Sequence, residues 1–408
     1  RRPRGLTLAS LILGFSSAQC IMKLLHGACL LVSAAMLLVA MFLGLLFSGA
    51  LAKTGIFAVV DGIDFGGGQH HFKGMFPAMH SGTPWGFTLE EMPDLTGHVC
   101  IVTGANIGLG YWTAHHLATA GATVVLGCRS MDRCNQAAAV IGEASGVPLE
   151  RVVPMQLDLS SFSSVRAFAS SFLARFPELD ALVLNAAVAG PDFGLTEDGI
   201  ELQIGTNHFG HQLLTMQLLP ALEAAGASPR GPSTVTAVSS MGHWNSYPEG
   251  VRLNIHDLND KSTYNRMAAY GQSKLANILF ARELAQRVAD KNILCNAVHP
   301  GGVATNLAQH LVPFISQHVS PSFAAWLKDT LDGASWHPRD ASLTQLYTAV
   351  GLSLKARKIT GAYFHPIARQ TQPSYHAQNA TLQRKLWDMT EAYTKAVLDH
   401  IDSQSRTP

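Results

Sequence analysis

Apolar residues follow two different patterns along this chain of 408 residues, with a change near residue 95. Residues 28–52 are almost wholly apolar and contain no charged side chain. A helix of this length is about 37 Å long, which is enough to cross a hydrocarbon core of about 30 Å. We therefore predict a hydrophobic membrane anchor within residues 1–60, with its strongest span at 28–52.

A second, weaker apolar run covers residues 5–22 and ends before Lys23. If only the stronger run spans a membrane, the positive-inside rule keeps the N-terminal arginines in the cytosol and puts the rest of the chain across the membrane. If both runs insert, the resulting hairpin returns the rest of the chain to the cytosol. A cleaved signal peptide is disfavoured, because the apolar region of such a peptide has roughly 7–15 residues.

Residues 61–94 are rich in Gly, His, Phe and Pro. This composition is typical of a linker or of a segment that docks near a membrane. His70 and His71 are adjacent metal-ligand types, but no second cluster of ligands accompanies them. We therefore predict a loop there and no metal site.

From Leu95 to about residue 395, short β-branched runs alternate with longer helical patterns. This alternation predicts a single α/β domain, a Rossmann-type doubly wound parallel sheet with helices on both faces. Residues 396–408 are predicted to be a C-terminal tail. The predicted strands are 99–103, 123–127, 152–157, 181–184, 234–239, 294–298 and 362–364. The main predicted helices are 110–120, 131–144, 162–175, a long one ending near 225, and 265–289.

The composition narrows the classes of function. Lys and Arg number 29 against 28 Asp and Glu, so the chain lacks the basic surface that nucleic-acid binding requires. The six cysteines show neither a C-x-x-C motif nor metal-ligand spacing. This pattern argues against a disulfide framework or a zinc site and favours a reducing compartment for the globular part.

The first predicted strand leads through a glycine-rich turn, residues 103–110, into a helix. Glycines allow the tight turn and the close backbone approach that a pyrophosphate needs at a helix N-terminus. Because strand, turn and helix occur in the required order, we predict a dinucleotide site. The predicted contacts are Gly104, Asn106, Ile107, Gly108, Leu109 and Gly110.

The second predicted strand is followed by Cys128 and Arg129. An NAD-selective site usually has Asp or Glu at this point, whereas Arg suits the 2′-phosphate of NADP(H). We therefore predict NADP(H) rather than NAD(H), bound through Arg129, with Arg133 as a second candidate. A solvated loop arginine is the alternative interpretation of Arg129.

Tyr270 and Lys274 are four residues apart within a predicted helix, so they share one face. A nearby positive charge lowers the pKa of a phenol, which is near 10 when unperturbed, and such a phenol can act as a general acid/base. Taken alone, the pair is more typical of an ordinary surface contact than of a catalytic site.

In order and spacing, these motifs resemble the short-chain dehydrogenases/reductases. Asn185-Ala186-Ala187, Asn207, Ser239-Ser240 and His299-Pro300-Gly301 carry the same resemblance, which covers about residues 95–395. Finer features resemble the retinol dehydrogenase group and the dehydrogenase part of the WW-domain-containing oxidoreductase. These features are Cys128-Arg129, the runs 206–211 and 273–280, and Leu386-Trp387. The sequence has no WW-like module.

The resemblance implies a role for each matching residue. Tyr270 is the expected general acid/base, and Lys274 is expected to lower its pKa and to hold the nicotinamide ribose. Ser240, rather than Ser239, is expected to hydrogen-bond the substrate oxygen, and Asn207 to anchor a proton-relay water. Asp158 is expected beside the adenine, Asn185 near a ribose and Thr305 near the carboxamide or the phosphates. The remaining implied cofactor contacts are Leu159, Ala186, Tyr270, Lys274, Pro300, Gly301 and Val303.

Two positions depart from the family pattern. Ala187 stands where a glycine is usual, and Ile107 replaces a small polar residue of the glycine turn. The second change removes a potential hydroxyl contact, so we expect it to weaken cofactor binding.

The combined expectation is a membrane-anchored NADP(H)-dependent oxidoreductase at the endoplasmic reticulum or another endomembrane. It would interconvert an apolar alcohol, such as a retinoid, steroid or lipid, and its aldehyde or ketone. The alternative is an NADP(H)-binding scaffold or sensor that turns over little substrate and acts through protein partners. A homodimer is expected only by analogy with relatives.

Overall fold

The centre of the described region is an eight-stranded sheet with the order β3-β2-β1-β4-β5-β6-β7-β8. The computed structural model describes residues 86–301 and 337–405. Strands β1 to β7 pair in parallel, and β8 runs antiparallel to β7. The strands are β1 Val99–Thr103, β2 Thr123–Cys128, β3 Val152–Gln156, β4 Ala181–Leu184, β5 Ser233–Val238, β6 Ile293–Val298, β7 Tyr363–His365 and β8 Arg369–Thr371. The predicted Rossmann-type fold is confirmed.

Helices cover both faces of the sheet. In chain order they are α1 Gly108–Thr119, α2 Met131–Ser145, α3 Phe162–Arg175, α4 Leu202–Ile204, α5 Gly210–Gly226, α6 Ile255–Leu258, α7 Arg266–Arg287, α8 Pro338–Ala341, α9 Leu343–Val350, α10 Leu352–Ala356 and α11 Ala380–Ser405. A π-helical turn, Gly205–Phe209, joins α4 to α5, and a 3-10 turn, Met241–Asn245, follows β5. The sequence patterns predicted neither turn.

Two hydrophobic cores lie on opposite faces of the sheet. The first contains Phe168, Leu214 and Ile278 from helices α3, α5 and α7, and the second contains Leu117 and Leu346 from α1 and α9. Strands covered on both faces need apolar residues at nearly every position, which is why they are continuous apolar runs in the sequence.

The long C-terminal helix packs on the outer side of α7. Trp387 is buried and stacks on Phe280 with the ring centroids 5.8 Å apart. The guanidinium carbon of Arg287 lies 4.6 Å from the centroid of the Trp387 ring. The helix continues into the predicted tail, where Asp402 pairs with Arg166 at 2.7 Å.

The last part of the predicted linker packs onto the domain. Phe87 is buried and its ring centroid lies 5.6 Å from that of Tyr347. The predicted membrane anchor and the rest of the linker lie outside the described residues. Within 86–301 and 337–405, no helix is both long enough and apolar enough to cross a membrane.

The expectation that the cysteines are unpaired is wrong for one pair. Cys128, the last residue of β2, and Cys134, in the first turn of α2, form a disulfide with their Cα atoms 5.9 Å apart. The two cysteines are six positions apart, so the turn between strand and helix brings them together. With one pair of cysteines oxidised, the cysteines of the domain no longer favour a reducing compartment.

Candidate active site

Tyr270 lies in the second turn of α7, where close packing brings the helix against the 3-10 turn that follows Ser240. The side chain of Asn265 caps the start of this helix by accepting hydrogen bonds from the N–H groups of Met267 and Ala268, each at 3.0 Å. A Cβ atom on Gly271 would lie 2.4 Å from the carbonyl oxygen of Asn245. Only glycine therefore allows this helix to approach so closely.

The Ser240 hydroxyl is directed at the Tyr270 phenol oxygen, an interaction that acts to lower the pKa of Tyr270. The Ser240 oxygen also accepts a hydrogen bond from the Gly242 N–H at 3.0 Å. In contrast, the Ser239 hydroxyl donates to the carbonyl oxygen of Lys274 at 2.7 Å. Ser239 is thus engaged with the backbone of α7, whereas Ser240 lies beside the Tyr270 phenol; the role of Ser240 toward a substrate stays a prediction.

Lys274 is buried, and its ammonium group donates to the carbonyl oxygen of Val238 at 3.0 Å. Burial lowers the pKa of Lys274 from 10.5 to about 8, because water no longer solvates the charge. The ammonium nitrogen lies 5.7 Å from the centroid of the Tyr270 ring.

The pKa of Tyr270 shifts in the direction opposite to the one expected. Burial raises this pKa above its ordinary value of 10.0, and the hydrogen bond with Ser240 acts in the lowering direction but does not outweigh burial. The phenol is therefore protonated at neutral pH, as a proton donor must be.

Asn207 lies in the π-helical turn, and its side-chain amide joins two other segments. Its oxygen accepts a hydrogen bond from the Val188 N–H at 2.8 Å, and its nitrogen donates to the Ser273 hydroxyl at 2.9 Å. The Ser273 hydroxyl in turn donates to the carbonyl oxygen of Tyr270 at 2.8 Å. The structure thus brings together all four predicted catalytic residues.

The glycine turn forms a cradle that a larger residue would fill. Gly104 and Gly108 have φ angles of 66° and 60°, in the region that favours glycine. A Cβ on Gly110 would lie 2.4 Å from the Gly104 carbonyl oxygen. Helix α1 begins at Gly108, so its first N–H groups can receive a pyrophosphate. The arrangement fits a dinucleotide.

The other predicted residues of this turn occupy different environments. Asn106 and Leu109 are partly buried, whereas 75% of Ile107 is exposed. Ile107 is the N-cap residue of α1 and forms no side-chain capping bond. Serine or threonine at such a position normally binds a free N–H of the first turn.

Asn185 and Ala186 lie directly against the glycine turn. Their backbone N–H groups both donate to the Thr103 hydroxyl oxygen at 2.9 Å. The Asn185 amide nitrogen donates to the Thr103 carbonyl oxygen at 2.9 Å, and Gln345 donates to the Asn185 amide oxygen at 3.3 Å. Sequence reasoning missed Thr103 and Gln345, since only the folded chain shows which way their side chains point.

Arg129 follows the end of β2 and is exposed. Its carbonyl oxygen accepts a hydrogen bond from the Gln156 side chain at 2.9 Å, which holds the backbone at this position. The Asp158 carboxylate accepts from the N–H and the hydroxyl of Ser160 at 2.9 and 2.7 Å. Leu159 is buried, and its carbonyl packs against the start of α5.

The predicted contacts after β6 are only partly described. Pro300 is buried, and Gly301 has a φ of 98°, which favours glycine. Val303 and Thr305 lie outside the described residues.

Comparison with known proteins identifies the family. Residues 98–315, more than half of the chain, match the family model described as short chain dehydrogenase. The chain belongs to the short-chain dehydrogenase/reductase family. Members of this family are oxidoreductases that bind a nicotinamide cofactor, and the glycine cradle of this chain fits that cofactor.

Individual relatives confirm the resemblance to the retinol dehydrogenase group. The chain is 37% identical over 305 residues to retinol dehydrogenase 14 of Mus musculus, and the alignment covers 72% of this chain and 85% of that protein. It is also 37% identical over 292 residues to short-chain dehydrogenase TIC 32 B, chloroplastic, of Brassica napus. That alignment covers 71% of this chain and 86% of the relative. Among solved structures, a putative uncharacterized protein from Mycobacterium Paratuberculosis is 32% identical with a TM-score of 0.56, and 76% of this chain and 98% of that chain are covered.

Proposed function

We propose that this short-chain dehydrogenase interconverts an apolar alcohol and its aldehyde or ketone with NADP(H), and that Tyr270 is the general acid/base. The observation that carries this proposal is the arrangement of four side chains around Tyr270, beside the carboxyl ends of the central strands. Ser240 contacts the phenol, and the Lys274 ammonium lies 5.7 Å from the centroid of the Tyr270 ring. Asn207 is linked to the Tyr270 carbonyl through Ser273. Ligands of open α/β sheets bind at this end.

The contacts of Ser240 and Tyr270 support a role for each of these two side chains. The Ser240 oxygen accepts from the Gly242 N–H, and its hydrogen is directed at the Tyr270 oxygen. A substrate oxygen placed beside both hydroxyl groups can accept the Ser240 hydrogen in place of the Tyr270 oxygen. The protonated Tyr270 phenol can give its proton to that same oxygen during carbonyl reduction. When bound, the nicotinamide cofactor supplies the hydride, while the protein supplies position and charge.

Arg129 supports the choice of NADP(H). It is exposed at the end of β2, where NAD-selective sites carry an acidic residue. Replacing Arg129 with Gln should weaken NADPH binding by about 10- to 100-fold, since a charged hydrogen bond contributes about 1.5–3 kcal/mol. Fluorescence titration with NADPH measures this change. NADH is the control: an equal loss of NADH affinity would contradict the selectivity argument.

An apolar substrate is supported by the relatives named retinol dehydrogenases and by the hydrophobic N-terminal sequence. Retinoids, steroids and lipid aldehydes concentrate in membranes, so an anchored enzyme would meet them there. We accordingly place the protein at an endomembrane. A homodimer, expected by analogy, stays a prediction.

One observation favours the alternative of a cofactor-binding scaffold with little turnover. Ile107 leaves the first turn of α1 without a capping side chain, at the point where the cofactor phosphates would lie. The complete set of catalytic side chains favours the enzyme, and both candidates predict NADP(H) binding.

Turnover by the full chain decides between the two candidates. We expect the wild-type protein, in detergent or lipid, to oxidise NADPH with retinal, a steroid ketone or a long-chain aldehyde. Tyr270→Phe keeps the ring but removes the proton, and should lower kcat at least about 100-fold. If the wild-type protein binds NADPH but reduces no carbonyl compound, and the Tyr270→Phe variant behaves in the same way, the scaffold is established instead.

A further inference from the structure

His211, near the start of α5, contacts two parts of the site that the family resemblance treats separately. Its Nδ1 atom lies 3.0 Å from the carbonyl oxygen of Asn207, and its Nε2 atom lies 2.9 Å from the Thr103 hydroxyl oxygen. The ring is only 2% exposed. One buried imidazole therefore joins the π-helical turn to the end of β1.

The partners determine which ring nitrogen of His211 carries the proton. A carbonyl oxygen can only accept, so Nδ1 donates its hydrogen to Asn207. Nε2 then accepts from the Thr103 hydroxyl, whose other acceptor, the Val183 carbonyl, is more distant at 3.5 Å. Burial lowers the pKa of His211 to about 4, and the charge of Lys274 acts in the same direction. The ring is neutral, and both nitrogens have a defined partner.

Thr103 extends this connection to the cofactor side. Its hydroxyl oxygen accepts the N–H groups of Asn185 and Ala186, each at 2.9 Å, while its hydrogen points to His211. The glycine turn begins directly after Thr103. A change in the His211 ring would therefore act both on the cofactor loops and on the Asn207 carbonyl.

We propose that His211 is a positioning residue that orients the Asn207 carbonyl for proton relay and couples this orientation to the cofactor loops. The inference rests on the proposed function, with Tyr270 as the proton donor and Asn207 in the role that the resemblance implies, the anchor of a proton-relay water. A carbonyl oxygen has two lone pairs. The bond from His211 occupies one lone pair and restrains the position of the carbonyl, which leaves the other lone pair for a second donor. The π-helical turn makes such an anchor useful, because regular helical pairing is interrupted there.

Two substitutions separate the two bonds of the ring. The amide nitrogen of His211→Asn can take the place of Nδ1, so this variant keeps the bond to Asn207 and loses Thr103. The longer side chain of His211→Gln reaches Thr103 instead and loses the bond to Asn207. Both are neutral, polar and smaller than or similar to histidine, and melting temperatures verify that each variant folds.

The proposal predicts opposite effects of the two variants. His211→Gln should have a kcat at least ~10-fold below that of His211→Asn, since small misplacements of a reacting group cost 10- to 100-fold. It should also show a larger solvent deuterium isotope effect on kcat, because proton transfer becomes slower. His211→Asn should show the larger increase in the Kd for NADPH.

Equal losses of kcat in both variants, or no loss in either, would overturn the inference, since packing alone would then explain His211. If the wild-type chain reduces no carbonyl compound, the proposed function fails and this inference falls with it. If turnover depends on Tyr270 but the two His211 variants do not differ, only the inference fails.

Discussion

At the scale of single residues, burial sets the protonation of the candidate site. Lys274 has no carboxylate partner among the described residues; it donates to the Val238 carbonyl, and its pKa is about 8. Tyr270 is also buried and stays protonated. At neutral pH the pair is thus an ammonium beside a neutral phenol, which suits proton donation to a carbonyl oxygen.

The lowered pKa of Lys274 predicts the pH dependence of carbonyl reduction. Its ammonium form is present below about pH 8 and is lost as the pH rises through that value. We expect kcat/KM for the aldehyde to fall above about pH 8. Initial rates of NADPH oxidation between pH 6 and 10 measure this profile.

Lys274→Arg is the matched control, because a guanidinium keeps its charge across this range. Its residual activity should show no decline near pH 8. If the decline persists in this variant, another group is responsible for it.

At the scale of elements, most strands could be predicted from the sequence, because a strand covered on both faces needs apolar residues at nearly every position. Strands β1, β2, β4, β5 and β6 are buried along nearly their whole length and appear as largely apolar runs. Strand β8 is short, polar and at an edge of the sheet, and it gave no signal. The π-helical turn was unpredictable for another reason: it depends on the bonds of Asn207 to Val188, which are distant in sequence.

In the candidate site, too, some residues follow a local sequence pattern, whereas others are brought together only by the fold. Tyr270, Lys274 and the glycines could be found because their chemistry requires a fixed spacing along one element. The connection from Thr103 through His211 to Asn207 could not, since it depends on side-chain directions in three elements. The Cys128–Cys134 bond was missed similarly, because the spacing matches no known motif.

Close packing of α7 against the 3-10 turn leads to a prediction at this scale. A methyl group at Gly271 would lie 2.4 Å from one backbone oxygen and 2.6 Å from another, and backbone cannot move aside easily. Gly271→Ala should therefore destabilise the fold by about 1–3 kcal/mol. It should also lower kcat, because the turn that follows Ser240 is displaced from Tyr270.

Chemical denaturation and NADPH oxidation measure the two effects. Gly194→Ala is the control, since a Cβ there meets only the Leu202 side chain at an ordinary 3.9 Å. Wild-type stability and activity in Gly271→Ala would contradict the packing argument.

At the scale of the whole molecule, a family domain is combined with a strongly apolar N-terminal region. The family match and the described fold concern residues after about 86. The membrane anchor is a prediction from the sequence of residues 28–52 alone.

Alkaline carbonate extraction of cell membranes tests this anchor in the full chain. The wild-type protein should stay in the membrane pellet. Leu38→Lys combined with Leu43→Lys should release it, because each charge at the centre of a span costs about 2.5–3.5 kcal/mol. Leu11→Lys with Leu13→Lys, in the weaker run, distinguishes one span from two by its effect on protease accessibility. Release of the wild-type protein by carbonate would refute the anchor.

The stacking of Trp387 on Phe280 has a consequence for biosynthesis. Because synthesis begins at the N-terminus, Ser240, Tyr270 and Lys274 are incorporated into the chain well before Trp387. Until then the outer surface of α7 lacks the helix that covers it. Chains grow at about 5–20 residues per second, so this apolar surface is open for seconds during translation. Helix α7 therefore gains this cover only after the segment Ala380–Ser405 has been synthesised, more than a hundred residues after Tyr270.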